Sequence, residues 1–188
     1  MRRHVERNME SYNDHAEDWV EAMETNAAHL YLEKPAMEEL LPGDLSGKSV
    51  LCVGVGSGDE LSCIKRRGAT DVVGVDVADE LLHEARSRHL GVEFRHVDMM
   101  RFSEVFDRDR FDVVYSSLTF HYAQDWDALL EEMKIILDES GLILASTHHP
   151  AYWDRNRTGR DVVNDRGVRL TEHEATLPGD VEIVYYNH

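Results

Sequence analysis

Ser49–Glu60, SVLCVGVGSGDE, is the stretch from which the rest of the chain is read. It opens as a buried strand, Ser49-Val50-Leu51-Cys52-Val53, turns through Gly54-Val55-Gly56-Ser57-Gly58, and enters a helix near Asp59. Gly54 permits a tight turn, while Gly56 and Gly58 let backbone approach a ligand because no Cβ intervenes. The free N–H groups of the following helix point at the same place. Strand, glycine turn and helix in this order make a ligand cradle. A dinucleotide fingerprint would set glycines at the first, third and sixth positions of the turn, which here are Gly54, Gly56 and Asp59. An acid facing the site of a pyrophosphate is electrostatically wrong, and this disfavours a nicotinamide-dependent oxidoreductase.

Downstream, apolar runs alternate with helical patterns. The first helix, from about Asp59 to Arg67, stops at Gly68, a good C-cap. Asp71-Val-Val-Gly-Val-Asp76 reads as a second buried strand ending in an acid. Asp76 falls about 20 residues beyond the glycine turn, the separation at which an acid holds a ribose hydroxyl pair; the competing reading is a helix N-cap at Asp76 or Asp79. Glu80–Leu90 is amphipathic and stops at Gly91, and Val92–Val97 alternates as a third strand leading to Asp98-Met99-Met100. Phe111–Ser116 is a fourth strand, Asp125 caps a helix over Trp126–Leu137, and Gly141 leads into a fifth strand, Leu142–Thr147. Five strands alternating with helices predict an α/β fold with a doubly wound, mostly parallel sheet.

Ahead of the sheet, Asn13 or Asp14 is placed to cap a helix through HAEDWVEAMET. Ala27–Leu41 carries Ala28, Tyr31, Leu32, Ala36 and Leu40 at helical spacing, with Pro35 positioned to break or kink it.

The 188 residues fit one domain with a real core. No apolar run approaches the ~18 residues of a membrane span, and the polar start MRRHVERNMESYND is unlike a secretory leader. The expectation is a soluble cytoplasmic protein. A net charge of −17 argues against a general nucleic-acid-binding surface, which needs a basic footprint. Lys34, Lys48, Lys65 and Lys134 are the only lysines. Heavy acidity with few lysines is similar to proteins of salt-loving organisms, where concentrated salt screens self-repulsion. Cys52 and Cys63 lie in a strand and a helix without CxxC spacing, as buried small hydrophobes do.

GxGxG with an acidic continuation resembles motif I of class I S-adenosylmethionine-dependent methyltransferases. FDVVYSSLTFHY…W…LLEEMKIILDESGLILAS resembles the later region of the small-molecule, type 11-like members, so the likeness runs from about Tyr12 to Pro150. It implies a Rossmann-like fold whose N-terminal helices cover the cofactor, with Tyr12, Ala16 and Trp19 matching a YxxxAxxW-like pattern. Tyr12 is then a cofactor or substrate contact, or else an ordinary docking hydrophobe. Gly54, Val55, Gly56, Gly58, Asp76, Val77 and Ser116 become cofactor-binding positions. Asp98 would accept from the adenine amino group, with the backbone of Met99 against the ring. The implied reaction is methyl transfer from S-adenosylmethionine to an unidentified small molecule, leaving S-adenosylhomocysteine. The alternative outside enzymes is a protein that binds either adenosyl compound without catalysis.

Two positions depart from the resemblance. Motif I usually has an acid where Cys52 stands, so the contact beneath the cofactor's methionine end is absent, and Asp59 or Glu60 is the candidate substitute. Family members also continue beyond the fifth strand with a helix and an antiparallel strand pair. Here Val181–Tyr186 offers one further strand before His188, so the chain is expected to be either a shortened version or lacking part of the protein.

The organisation expected is therefore one methyltransferase domain over 1–188, with a helical cap over 1–47 and a cofactor-binding core over 48–150. A substrate-side loop and sixth strand would occupy 151–188.

Methyl transfer from a sulfonium needs positioning more than a protein nucleophile, and a base only where the acceptor must lose a proton. No catalytic residue is assigned. His121, His148 and His149 are the candidate bases should one be needed, and His121, Tyr122, His149 and Tyr152, with Trp153, are candidate pocket residues. No metal site is expected, because adjacent histidines on extended chain point to opposite sides. Oligomeric state is not readable.

Overall fold

The computed structural model describes residues 9, 12–123 and 125–147. His148, His149, Tyr152, Trp153, the charged stretch 151–180 and the expected strand from Val181 to Tyr186 lie outside the described residues.

Helices α1 (Ala16–Thr25) and α2 (Lys34–Leu40) precede the sheet. Then β1 (Ser49–Val53), α3 (Leu61–Arg66), β2 (Asp71–Asp76), α4 (Asp79–Arg88) and β3 (Glu93–His96) alternate. β4 (Phe111–Ser116), α5 (Trp126–Ile136) and β5 (Leu137–Ala145) complete the succession. The strand order is β3-β2-β1-β4-β5, with every pairing parallel. Winding reverses between β1 and β4, and the carboxyl ends of those strands flank the crevice where such sheets take ligands.

Both sheet faces are covered, which is why β1, β2 and β4 are mainly apolar runs, while the edge strand β3 alternates. Successive residues of β1 go to opposite sides. Leu51 and Val53 join Val73, Val75, Phe102, Met133 and Ile136 in one core. Val50 and Cys52 join Met37, Leu61, Ile64, Leu82 and Tyr115 in the other.

Several boundaries differ from the sequence expectation. α3 begins at Leu61, leaving Asp59 and Glu60 in the turn before it; Gly68, at φ +95°, ends it as expected. β5 starts at Leu137, straight out of α5, rather than at Leu142. Phe111 pairs with Leu137 and Val113 with Leu142, so a bulge absorbs the residues between. Asp138 Oδ1 closes that bulge by accepting from the backbone N and Oγ of Ser140.

Neither Asn13 nor Asp14 caps α1, which starts after His15 with no side-chain cap. Asn13 Oδ1 instead accepts from the backbone N of Glu80, at the start of α4. The expected apolar stripe over Ala27–Leu41 is also wrong. Tyr31 is 76% and Leu32 56% exposed, and the buried face is His29, Glu33, Met37 and Leu41.

Pro35 alters the turn ahead of it. It has no N–H, and its ring would meet the carbonyl four residues back, so the chain widens into a π turn over His29–Glu33. The backbone N of Lys34 then bonds the carbonyl of His29, five residues back. Residues four apart share the buried face, and two of them, His29 and Glu33, are ionisable.

Candidate functional site

The glycine turn is held open by backbone conformation. Gly54, Gly56 and Gly58 have φ of +65°, +51° and +84°, the left-handed region that side chains avoid. A Cβ on Gly54 would lie 2.1 Å from Thr119 Oγ1, and one on Gly56 2.7 Å from the Trp19 ring. Val55, between them, is buried and donates its N–H to the Val75 carbonyl at 3.0 Å.

Asp76, at the end of β2, ties the turn to its neighbour. Its Oδ2 accepts from the backbone N of Gly56 at 2.9 Å, and its Oδ1 from that of Ala78 at 3.0 Å. Burial raises its carboxyl, opposed by these backbone donors. Asp76 thus fixes the turn and the entry to α4 with one carboxylate, and accepts with capacity to spare. Val77, partly buried, stands between these contacts. The Val97 N–H donates to the Asp76 carbonyl at 3.0 Å, which brings Asp98 alongside. Asp98 Oδ1 accepts from the backbone N of Met100 at 3.0 Å, and Met99 is partly buried against the core. Two carboxylates thus stand in a row at the carboxyl edge of β2 and β3.

On the other flank, the segment after β4 is drawn tight. Ser116 is fully buried; its Oγ donates to the Val53 carbonyl at 3.1 Å and its own carbonyl accepts from Ser146 N at 2.9 Å. Both polar ends of Ser116 are thus spent on the sheet, and Ser117 is the polar side chain at this edge. Leu118 has φ +50°, an uncommon conformation for a branched side chain. It sets Thr119 against Gly54 and leads into the short turn Phe120–Tyr122. The rings of His121 and Tyr122 lie 4.3 Å apart.

The N-terminal helices close over this edge. Tyr12 Oη hydrogen-bonds Tyr122 Oη across the crevice, and burial pushes the Tyr12 phenol up. Trp19 stands edge-on to Tyr12 and covers Gly56.

Behind them lies a cluster that the sequence reading missed. Glu33 Oε2 faces His29 Nδ1 at 2.9 Å, while its Oε1 accepts from Ser117 Oγ at 2.7 Å and from Ser146 Oγ. His29 Nε2 lies 3.3 Å from Asp59 Oδ2, which also pairs with Lys34. Hydrogen bonds to Asp59 and Glu33 raise His29 to about 9, and the bond from His29 helps hold Asp59 at about 2. The charge of Asp59 is therefore committed to His29 and Lys34. Glu60 is pushed up to about 8, chiefly by burial. Burial also raises the Cys52 thiol well above its ordinary value, so that it is no nucleophile. The signal for this cluster was His29 and Glu33 four apart, on one helix face but outside the apolar stripe by which the buried side was sought.

Residues 50–141 match the methyltransferase domain family. An uncharacterised protein of Haemophilus influenzae is 32% identical over 126 residues, which are 63% of this chain and 49% of that protein. The chain therefore spans about half the length of that curated relative. An S-adenosylmethionine-dependent methyltransferase from Mesorhizobium loti superposes with a TM-score of 0.58 at 28% identity, covering 69% of this chain and 57% of that one. A methyltransferase of Haloferax volcanii, solved in complex with the Trm112 methyltransferase activator, gives 0.61 at 26% identity over 70% and 57%. Segment 50–141, which holds the glycine turn and most of the five-stranded parallel sheet, is what this chain shares with the methyltransferase domain family.

Proposed function

We propose that the chain binds S-adenosylmethionine across the glycine turn and transfers its methyl group to a small molecule, releasing S-adenosylhomocysteine. The observation that carries this is the pair of carboxylates, Asp76 tied to Gly56 and Asp98 held beside it. Ribose hydroxyls and the adenine amino group are donors, and carboxylates receive them. The cradle fits the ligand: Gly54, Gly56 and Gly58 leave backbone bare, and Trp19 with Tyr12 forms a cover. The Tyr12–Tyr122 bridge narrows the mouth of the crevice, which favours a small acceptor.

A bound sulfonium supplies both the methyl group and the leaving group. The chain orients donor against acceptor and keeps water out. His121 and Tyr122 line the acceptor side, and a base is needed only for an acceptor that must shed a proton.

Calorimetric titration in high-salt buffer tests the reading. S-adenosylmethionine and S-adenosylhomocysteine should bind and NADH should not. Asp76→Ala should weaken the adenosyl ligands by about 10- to 100-fold, the loss of one charge-assisted hydrogen-bonding group. NADH binding in their place would restore the oxidoreductase alternative. Adenosyl binding without methyl transfer to any acceptor would favour the non-catalytic one.

A further inference from the structure

β1 carries a neutral, buried Cys52 at the position facing the second core, and negative charge reaches this part of the crevice from another element. Glu33, 2% exposed, extends from the π turn to the carboxyl ends of β4 and β5. A carboxylate offers about four acceptor sites; His29, Ser117 and Ser146 use three of those on Glu33.

The cavity beside it has two further features. Tyr115, 3% exposed, lines it. The ionisable lining is also short of positive charge: Glu33, Glu38, Asp59 and Glu60 face only His29 and Lys34, with Arg66 3.9 Å from Glu38. Glu60 is raised to about 8, chiefly by burial, with Asp59 and Glu33 adding to it and His29 opposing.

The strand order gives the direction of a ligand. With adenosine at Asp98 and Asp76, on β3 and β2, the remainder of an extended molecule passes over β1 and β4. There it meets Ser117 and, behind it, Glu33.

We propose that Glu33, delivered by the π turn of the N-terminal cap, is the anionic contact for the α-ammonium of the cofactor's methionine end. The inference rests on the cofactor reading above. It makes the cap part of the binding site rather than only its cover, so cap docking and cofactor binding support each other.

The test is calorimetry with S-adenosylhomocysteine and its deamino analogue, which differ only in the amino group. Wild type should prefer the amino ligand, and Glu33→Gln should lower that preference by about 10-fold or more. Deamino binding should be nearly unchanged by the substitution. Equal affinities in wild type, or an equal loss of both ligands in Glu33→Gln, would overturn the proposal while leaving the cofactor reading intact. If wild type binds neither ligand, both fall. Should Glu33→Gln fail to fold, Glu33→Asp decides, since its carboxylate is drawn back by one methylene. A reduced preference is expected, and a preference at the wild-type value overturns the assignment.

Discussion

At the scale of single residues, His29 is where pH should register most clearly. Its imidazole is raised to about 9 by Asp59 and Glu33, above its ordinary 6.5. A group whose folded pKa is raised adds stability that is complete below the unfolded value and fades as pH passes the folded one. Glu60, raised to about 8, acts in the same direction, because the folded state holds its proton where the unfolded chain has released it. Thermal midpoints should therefore fall as pH rises from about 6.5 to 9, with His29 contributing on the order of 2 kcal/mol. His29→Gln should flatten the profile across that window, and an unchanged slope would contradict the assignment. At the acid end Asp59, held at about 2, contributes stability that is lost only as pH falls through that value. Asp76 and Asp98 were legible as candidate ligand groups from position alone. Ser116 was read as a ligand contact too, yet the fold spends both its polar ends on Val53 and Ser146 and brings Ser117 forward.

Among the elements, the glycine turn and the cap depend on each other. Gly56→Ala would add a Cβ 2.7 Å from the Trp19 ring at a φ of +51°. The strain at that φ alone costs roughly 1–2 kcal/mol, and the ring must also move. The expected outcome is a lower thermal midpoint, a red-shifted tryptophan emission and weaker adenosyl binding. Asp125 shows the opposite case, an element boundary legible without tertiary information. Its Oδ1 accepts from Ala128 N at 3.0 Å, and Asp125→Ala should cost about 1 kcal/mol in a denaturant titration. The start of β5 was not legible, because the bulge between Leu137 and Leu142 is set by pairing with β4. A strand's partner lies outside its own sequence. The face of the second helical stretch was misread for a related reason: it buries His29 and Glu33, whose partners Asp59, Ser117 and Ser146 lie on distant elements.

For the molecule as a whole, charge is the dominant property. A net of −17 over 188 residues implies self-repulsion that salt should relieve. The expectation is a higher thermal midpoint in multimolar than in low KCl, and equal stability in both would remove the salt-adaptation reading. Among the described residues no helix is long and apolar enough to cross a membrane.

By itself the sequence determined the order of strands and helices, the glycine turn, and the placing of Asp76 and Asp98 after their strands. Each of these is written locally, in apolar runs, in glycines that tolerate positive φ, and in fixed spacing from the turn. Only the tertiary structure decided that Asp59 is neutralised by His29 and Lys34, that Tyr12 meets Tyr122, and that Glu33 reaches Ser117 and Ser146. Those contacts join groups up to 113 residues apart, and the hydrogen bonds made there, not local pattern, set the charge of His29 and Asp59.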